Sequence, residues 1–230
     1  MHFVSAIEGE SATHDSFPSL QSPMVHSPVT ASLMETHFNA PPLRLGIMAS
    51  GSGSNFEAIA QAIDNKQLNA QIQVVIYNNP GAGVFERTKR WHTPAVLLNH
   101  REFDSREALD REIVRTLQQH HVDWVIMAGW MRCVTQVLLE AFPNRVLNIH
   151  PSLLPSFPGL HAVRQALEAG VTVAGCTVHH VVLAVDSGPI VMQAAVPVFS
   201  NDTEESLHNR IHAQEHAIYP VAIALAAVSA

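Results

Sequence analysis

Asn148 and His150 stand two residues apart in the decapeptide V-L-N-I-H-P-S-L-L-P, residues 146–155. On a strand, positions i and i+2 share a face, so a carboxamide and an imidazole lie side by side. Pro151 ends the strand, because it has no N–H to give to a ladder. The pair therefore sits where a strand opens into a loop. These residue types suit acyl transfer: the amide can hold a developing oxyanion while the imidazole handles a proton. Asp186, in the turn Asp186-Ser187-Gly188-Pro189, is a further candidate. An aspartate in such a turn ordinarily makes turn hydrogen bonds. Beside His150 it would orient the imidazole and favour its protonated form.

Ser50-Gly51-Ser52-Gly53-Ser54-Asn55 reads as a glycine-rich turn from a strand into a helix. Glycines let the backbone approach an anion, and the helix start offers free N–H groups and a partial positive charge. The dinucleotide version of this motif wants a third glycine, where Phe56 stands, and an acidic residue after the next strand, where Asn78 and Asn79 stand. A monophosphate fits better than a dinucleotide. His208, His212 and His216 recur at i, i+4 and i+8 with Glu215 beside them, which imitates metal-ligand spacing. No H-E-x-x-H arrangement completes a set, so the expectation is a solvated helix face without metal, with Glu215 turned towards a substrate. There is no G-x-S-x-G elbow and no cysteine in a nucleophile context. Direct attack by a substrate amine is compatible with what is present.

These groups need a frame. Residues 45–49, 72–77, 94–98, 124–128 and 146–149 read as strands, and the segments between them read as helices. The clearest helix is 106–120, with Leu109, Ile113, Val114 and Leu117 on one face and Asp104 or Ser105 as cap. Alternating strands and helices imply an α/β fold with a doubly wound, mostly parallel sheet. Apolar strands such as Val125-Ile126-Met127 fit burial on both faces. Such sheets bind ligands beyond the carboxyl ends of their strands, which puts the Gly53, Gly129–Arg132 and His150 loops on one rim. After Pro158 the texture changes: a helix over 161–168 is followed by two β-rich runs, 173–183 and 190–199. Asp186 lies in their connection, so antiparallel additions are expected. A last helix opens at Thr203-Glu204-Glu205, capped by Asn201 or Asp202.

The 230 residues are 47% hydrophobic, enough for one sizeable core. With 13 basic against 20 acidic residues, net charge −7, no basic footprint for nucleic acid or anionic lipid exists. Two cysteines, Cys133 and Cys176, make no disulfide framework. No apolar run approaches the roughly 20 residues of a membrane helix. Residues 1–43 are rich in Ser, Thr, Pro and His and hold no Lys or Arg. They read as a disordered tail ahead of one domain, 44–230, rather than as a targeting signal. Cytoplasmic residence is the corresponding expectation.

The run Asn148-Ile149-His150-Pro151-Ser152-Leu153-Leu154-Pro155, followed by Pro158-Gly159, resembles the signature of the folate-dependent formyltransferases. Within them it is most similar to the phosphoribosylglycinamide formyltransferases. Phe103-Asp104-Ser105-Arg106-Glu107, Ala128-Gly129-Trp130-Met131-Arg132, Asp186-Ser187-Gly188-Pro189 and Gln214-Glu215-His216-Ala217-Ile218-Tyr219-Pro220 agree in order and spacing. The resemblance runs from about residue 43 to 221; the leader lies outside it, and relatives continue somewhat past the point where this chain ends. It implies a Rossmann-like formyltransferase fold. It also implies transfer of a formyl group from 10-formyltetrahydrofolate to the amine of glycinamide ribonucleotide, with no metal. By this resemblance Asn148, His150 and Asp186 are catalytic. Gly53, Ser54 and Asn55 hold the ribonucleotide phosphate, with His212, Ala213, Gln214 and Glu215 near its glycinamide end. The folate pocket takes Arg106, Met131, Arg132, Cys133, Val134, Asn148, Val182, Leu183, Ala184, Val185 and Asp186. Cys133-Val134 replaces a more usual Ile-Leu. The expected partners are these small molecules, with no nucleic acid or membrane, acting on a monomer or homodimer. A formyltetrahydrofolate deformylase and a non-catalytic folate or nucleotide sensor are the alternatives.

Overall fold

The computed structural model describes residues 24–26 and 31–229. Its frame is one sheet. Five strands run parallel: β2 (Leu43–Ala49), β3 (Ala70–Tyr77), β4 (Ala95–Leu97), β5 (Trp124–Met127) and β6 (Val146–His150). They are extended antiparallel by β7 (Val173–His180), β8 (Ile190–Pro197) and the short β1 (Met24–His26). The spatial order is β1-β8-β7-β6-β5-β2-β3-β4. The two kinds of strand wear their burial differently. All four residues of β5 are buried, whereas β8 alternates along its length, as strands covered on two faces and on one face should.

Helices cover both faces. One core lies under α2 (Ser54–Asp64), α6 (Ala162–Glu168) and α7 (Glu204–Val228). The other lies under α4 (Arg106–Gln119) and α5 (Gln136–Ala141). A short helix, α3 (Val84–Arg90), follows β3. Ser105 caps α4 by accepting the Ala108 N–H at 3.0 Å. The cap of α7 differs from expectation. Thr203 takes that place, its hydroxyl accepting the Ser206 N–H at 3.1 Å. Asp202 instead makes a two-pronged ion pair with Arg210, at 2.8 Å for each oxygen.

The amino-terminal part also differs. Ala31–Asn39 form a helix, α1, where the sequence reads as tail. Leu33 and Met34 pack on the core below it. His37, 2% exposed, accepts the backbone N–H of Asn69 at 2.9 Å through Nε2, and the Asn69 side chain donates to His37 O and Ala40 O. Two apolar residues and one histidine are too few to register as periodicity, yet they suffice once Asn69 supplies the polar partners. The rest of the expected tail, residues 1–23 and 27–30, lies outside the described residues.

Tyr219 fixes α7 to the sheet. It is fully buried, and its hydroxyl is shared between the carbonyls of Met127 at 3.1 Å and Leu147 at 3.2 Å, on neighbouring strands. Tyr219→Phe should lower stability by about 1–2 kcal/mol in urea unfolding. An unchanged midpoint would show that this hydroxyl carries no weight.

Candidate active site

The carboxyl ends of the parallel strands open into a cleft of about 1040 Å³. Its floor is the end of β6. Asn148 and His150 share a face, as their spacing requires, and His179 of β7 stands directly opposite Asn148 in the ladder. The connection from β7 to β8 returns over them and brings Asp186 down: its Oδ2 lies 3.3 Å from His150 Nδ1 and its Oδ1 3.6 Å from His179 Nε2. Asp186 holds a left-handed backbone, φ 50°, a conformation that aspartate tolerates better than most residues. Oδ2 also accepts the Gly159 N–H at 2.8 Å.

Burial works against the Asp186 carboxylate. The contacts from His179, the Gly159 N–H and the His150 ring outweigh it, and they hold the Asp186 pKa below the usual carboxylate value. His150 Nε2 meets the carbonyl of Phe157 at 2.9 Å. Both ring nitrogens thus face oxygen atoms, Asp186 on one side and Phe157 on the other. His179 sends Nδ1 to its neighbour's carbonyl, His180 O, at 2.9 Å, which turns Nε2 to the Asn148 amide at 3.2 Å. Sequence reasoning missed His179, because its role depends on which residue of β7 faces Asn148.

The other end of the cleft is the start of α2. Gly53 sits at its N-cap in a left-handed conformation, φ 76°, with no side-chain cap. A Cβ there would stand 2.5–2.7 Å from the side chain and Cα of Val84. The first-turn N–H groups have no carbonyl one turn earlier to bond, and the macrodipole adds positive character there. Arg87 steadies the loop, donating to Ser52 O at 2.8 Å and pairing with Glu57. Ser54 Oγ bonds His212 Nε2 at 2.8 Å, and Asn55 donates to Glu215 Oε2 at 3.0 Å.

The three α7 histidines do not form a solvated face as expected. His208 is exposed, but His212 and His216 are half-buried, with ring centroids 5.5 and 4.2 Å apart along the series. Burial, then His216, His208 and Arg87, push His212 down to about 4. Among the described residues no cluster of three or more histidine, cysteine or acidic side chains could hold a metal ion.

Glu215 is 6% exposed, and burial pushes its pKa up to about 7 against the Asn55 hydrogen bond. Below its ordinary value of 4.5 the carboxyl is protonated in both states. Between 4.5 and about 7 only the folded state keeps the proton, so this group lowers stability as pH rises through that window and no further above it. Glu215→Gln should therefore remove a decline of order 3 kcal/mol from the stability of the ligand-free protein between those pH values. Urea titrations at several pH values check this. Parallel pH profiles of wild type and variant would overturn the assignment.

The structure gathers most of the sequence-predicted residues around this one cleft. Met131, Arg132, Cys133 and Val134 form one wall, and Val182, Leu183 and Val185 form the opposite rim. Four stand apart from the lining: Arg106, exposed at the start of α4, Ala184, Ala213 and Gln214. Ala213 and Gln214 fall between the cleft-facing turns of α7, since a helix turns about 100° per residue.

Comparison with known proteins follows the same boundaries. The formyl transferase family profile matches residues 43–223. Trifunctional purine biosynthetic protein adenosine-3 of Drosophila pseudoobscura pseudoobscura is 44% identical over 204 residues, 87% of this chain and 15% of that protein. The chain thus spans a small part of the length of that relative. Phosphoribosylglycinamide formyltransferase of Bacillus subtilis (strain 168) is 40% identical over 180 residues, 78% of this chain and 92% of that enzyme. The crystal structure of glycinamide ribonucleotide transformylase 1 from Symbiobacterium toebii superposes with a TM-score of 0.79 at 50% identity, covering 80% of this chain and 87% of that one.

Proposed function

The chain belongs to the formyl transferase family, and from that premise we propose that it transfers the formyl group of 10-formyltetrahydrofolate to the amine of N1-(5-phospho-D-ribosyl)glycinamide. The products are the N2-formyl ribonucleotide and tetrahydrofolate, a step of de novo purine (IMP) synthesis. One observation carries the reading: the His150–Asp186 contact at 3.3 Å, with Asn148 on the same face, at one end of a cleft whose other end is an uncapped helix start.

In this reading the ribonucleotide phosphate lies at the N–H groups of Gly53, Ser54 and Asn55, with His212 and Glu215 towards the glycinamide end of the same molecule. The folate lies between Met131–Val134 and the 182–186 rim. The neutral amine attacks the formyl carbon, forming a C–N bond and a tetrahedral oxyanion. Asn148 Nδ2 and the His150 Nε2–H donate to that oxyanion, the latter exchanging the Phe157 carbonyl for it. The proton lost by the amine passes by way of His150 to the folate nitrogen as the bond from the formyl carbon to that nitrogen breaks. Asp186 keeps the His150 ring oriented throughout. Amine attack on a formyl group calls for no metal or redox group. As part of the same proposal, the reaction takes place in the cytoplasm on a monomer or homodimer, without nucleic acid or membrane.

The test is release of tetrahydrofolate from 10-formyltetrahydrofolate, with and without glycinamide ribonucleotide. Release that requires the ribonucleotide is the expected result. Equal release without it would mean a deformylase, and no release in either case would mean a binding protein.

A further inference from the structure

The wall of the cleft formed by residues 129–134 is pinned at both ends by polar groups, and the far pin lies outside the cleft. At the near end Ser50 donates its N–H to Gly129 O at 3.0 Å and accepts the Met131 N–H at 2.9 Å through Oγ. At the far end stands Thr135, the cap of α5. Its N–H and its hydroxyl both donate to one oxygen, Asp110 Oδ2, at 2.6 and 2.8 Å. Asp110 projects from α4, is 2% exposed, and does not line the cleft. Between the pins Trp130 and Val134 are buried against the core as well as lining the cleft, while Met131 and Cys133 are exposed towards it.

A buried carboxylate is an unfavourable way to hold a loop unless both donors matter. Burial raises the Asp110 pKa, and the two Thr135 bonds only partly oppose this. Glu107 raises it further, and Arg106, one turn earlier on α4, lowers it. An apolar residue at this place would avoid burying a charge, but it would leave two buried donors unpaired.

We propose that Asp110 is a positioning residue for the folate co-substrate: by accepting both Thr135 donors it fixes the far end of the wall and sets the width of the cleft on that side. The proposal rests on the reading of the cleft as a formyl-transfer site. It assigns to Asp110 an effect on one substrate and not the other, since the Gly53 end of the cleft shares no bond with this pin.

Asp110→Leu should raise KM for 10-formyltetrahydrofolate about tenfold, the size of one lost charge-assisted hydrogen bond, and leave KM for the ribonucleotide unchanged. Amide exchange at residues 131–135 should quicken. Asp110→Asn should restore most of the folate KM, because an amide oxygen can accept both donors. Thr135→Val, which deletes only the hydroxyl and keeps the shape, should give a smaller rise and covers the case in which Asp110→Leu does not fold. Unchanged exchange with an unchanged folate KM overturns the role of Asp110. So does a rise of both KM values together, which marks a general loss of structure. If wild type releases no tetrahydrofolate while the variants still quicken exchange at 131–135, the pin stands and the reading of the cleft as a folate site falls.

Discussion

His150→Ala should lower kcat by about 10²–10⁴-fold and leave the affinity for glycinamide ribonucleotide nearly unchanged. The side chain lies at the Asn148 end of the cleft, away from the Gly53 helix start that is proposed to hold the phosphate. Its loss removes one donor to the oxyanion, a contact worth about 2.7–4 kcal/mol in other acyl-transfer sites, and removes the proton carrier as well. Asp186 would keep the Gly159 N–H and His179, so the loop above it should hold its place and the variant should fold. Steady-state kinetics with a direct ribonucleotide titration separates the two quantities. An unchanged rate would sink the mechanism. A loss of ribonucleotide affinity with unchanged turnover would mean that His150 holds substrate and transition state alike and does no chemistry.

Gly53→Ala should destabilise the protein by about 3 kcal/mol and raise KM for the ribonucleotide at least tenfold. Two penalties add. The left-handed backbone costs an alanine about 1–2 kcal/mol. Forcing a Cβ against Val84 costs about 1–3 kcal/mol, and no rotamer of Val84 relieves it, because its Cα is among the atoms met at 2.5–2.7 Å. Relief must come from α2 and α3 moving apart. That shifts the first-turn N–H groups from where the phosphate would sit, and a displacement of about 1 Å can cost a hundredfold. Urea unfolding and the ribonucleotide KM read the two effects. A stable variant with normal KM would mean that the loop does not hold the phosphate.

The parallel half of the sheet was legible because its strands are apolar runs closed by turn residues. Residues 45–49 and 124–128 announce burial on two faces without any knowledge of the partner strands. Asn148 and His150 were legible for a local reason, since spacing alone puts them on one face. What was not legible depends on distant pairing. His179 and His180 are the same letter in adjacent places, and only the register with β6 decides which one meets Asn148. Asp110 is hidden in an amphipathic helix, where a carboxylate four residues after Arg106 reads as a solvent-facing ion pair. Its true partner, Thr135, is 25 residues away. The helix α1 escaped for a similar reason, because His37 finds its hydrogen-bond partner only at Asn69.

The pairing of Asn148 with His179 and of His150 with Thr177 makes β6 and β7 sensitive to phase. His180, one step along, turns to the other side of the sheet and lies against Trp124, ring centroids 6.4 Å apart. Deleting one residue of β7 ahead of His179 would leave a strand that still pairs and still carries two histidines. It would also exchange the faces of every side chain beyond the change, and His180 would stand where His179 does. The sheet tolerates such an edit, but the site does not. Changes of chain length are therefore compatible with this chemistry in the loops and incompatible with it within β6 and β7, where composition can drift but the count of residues cannot.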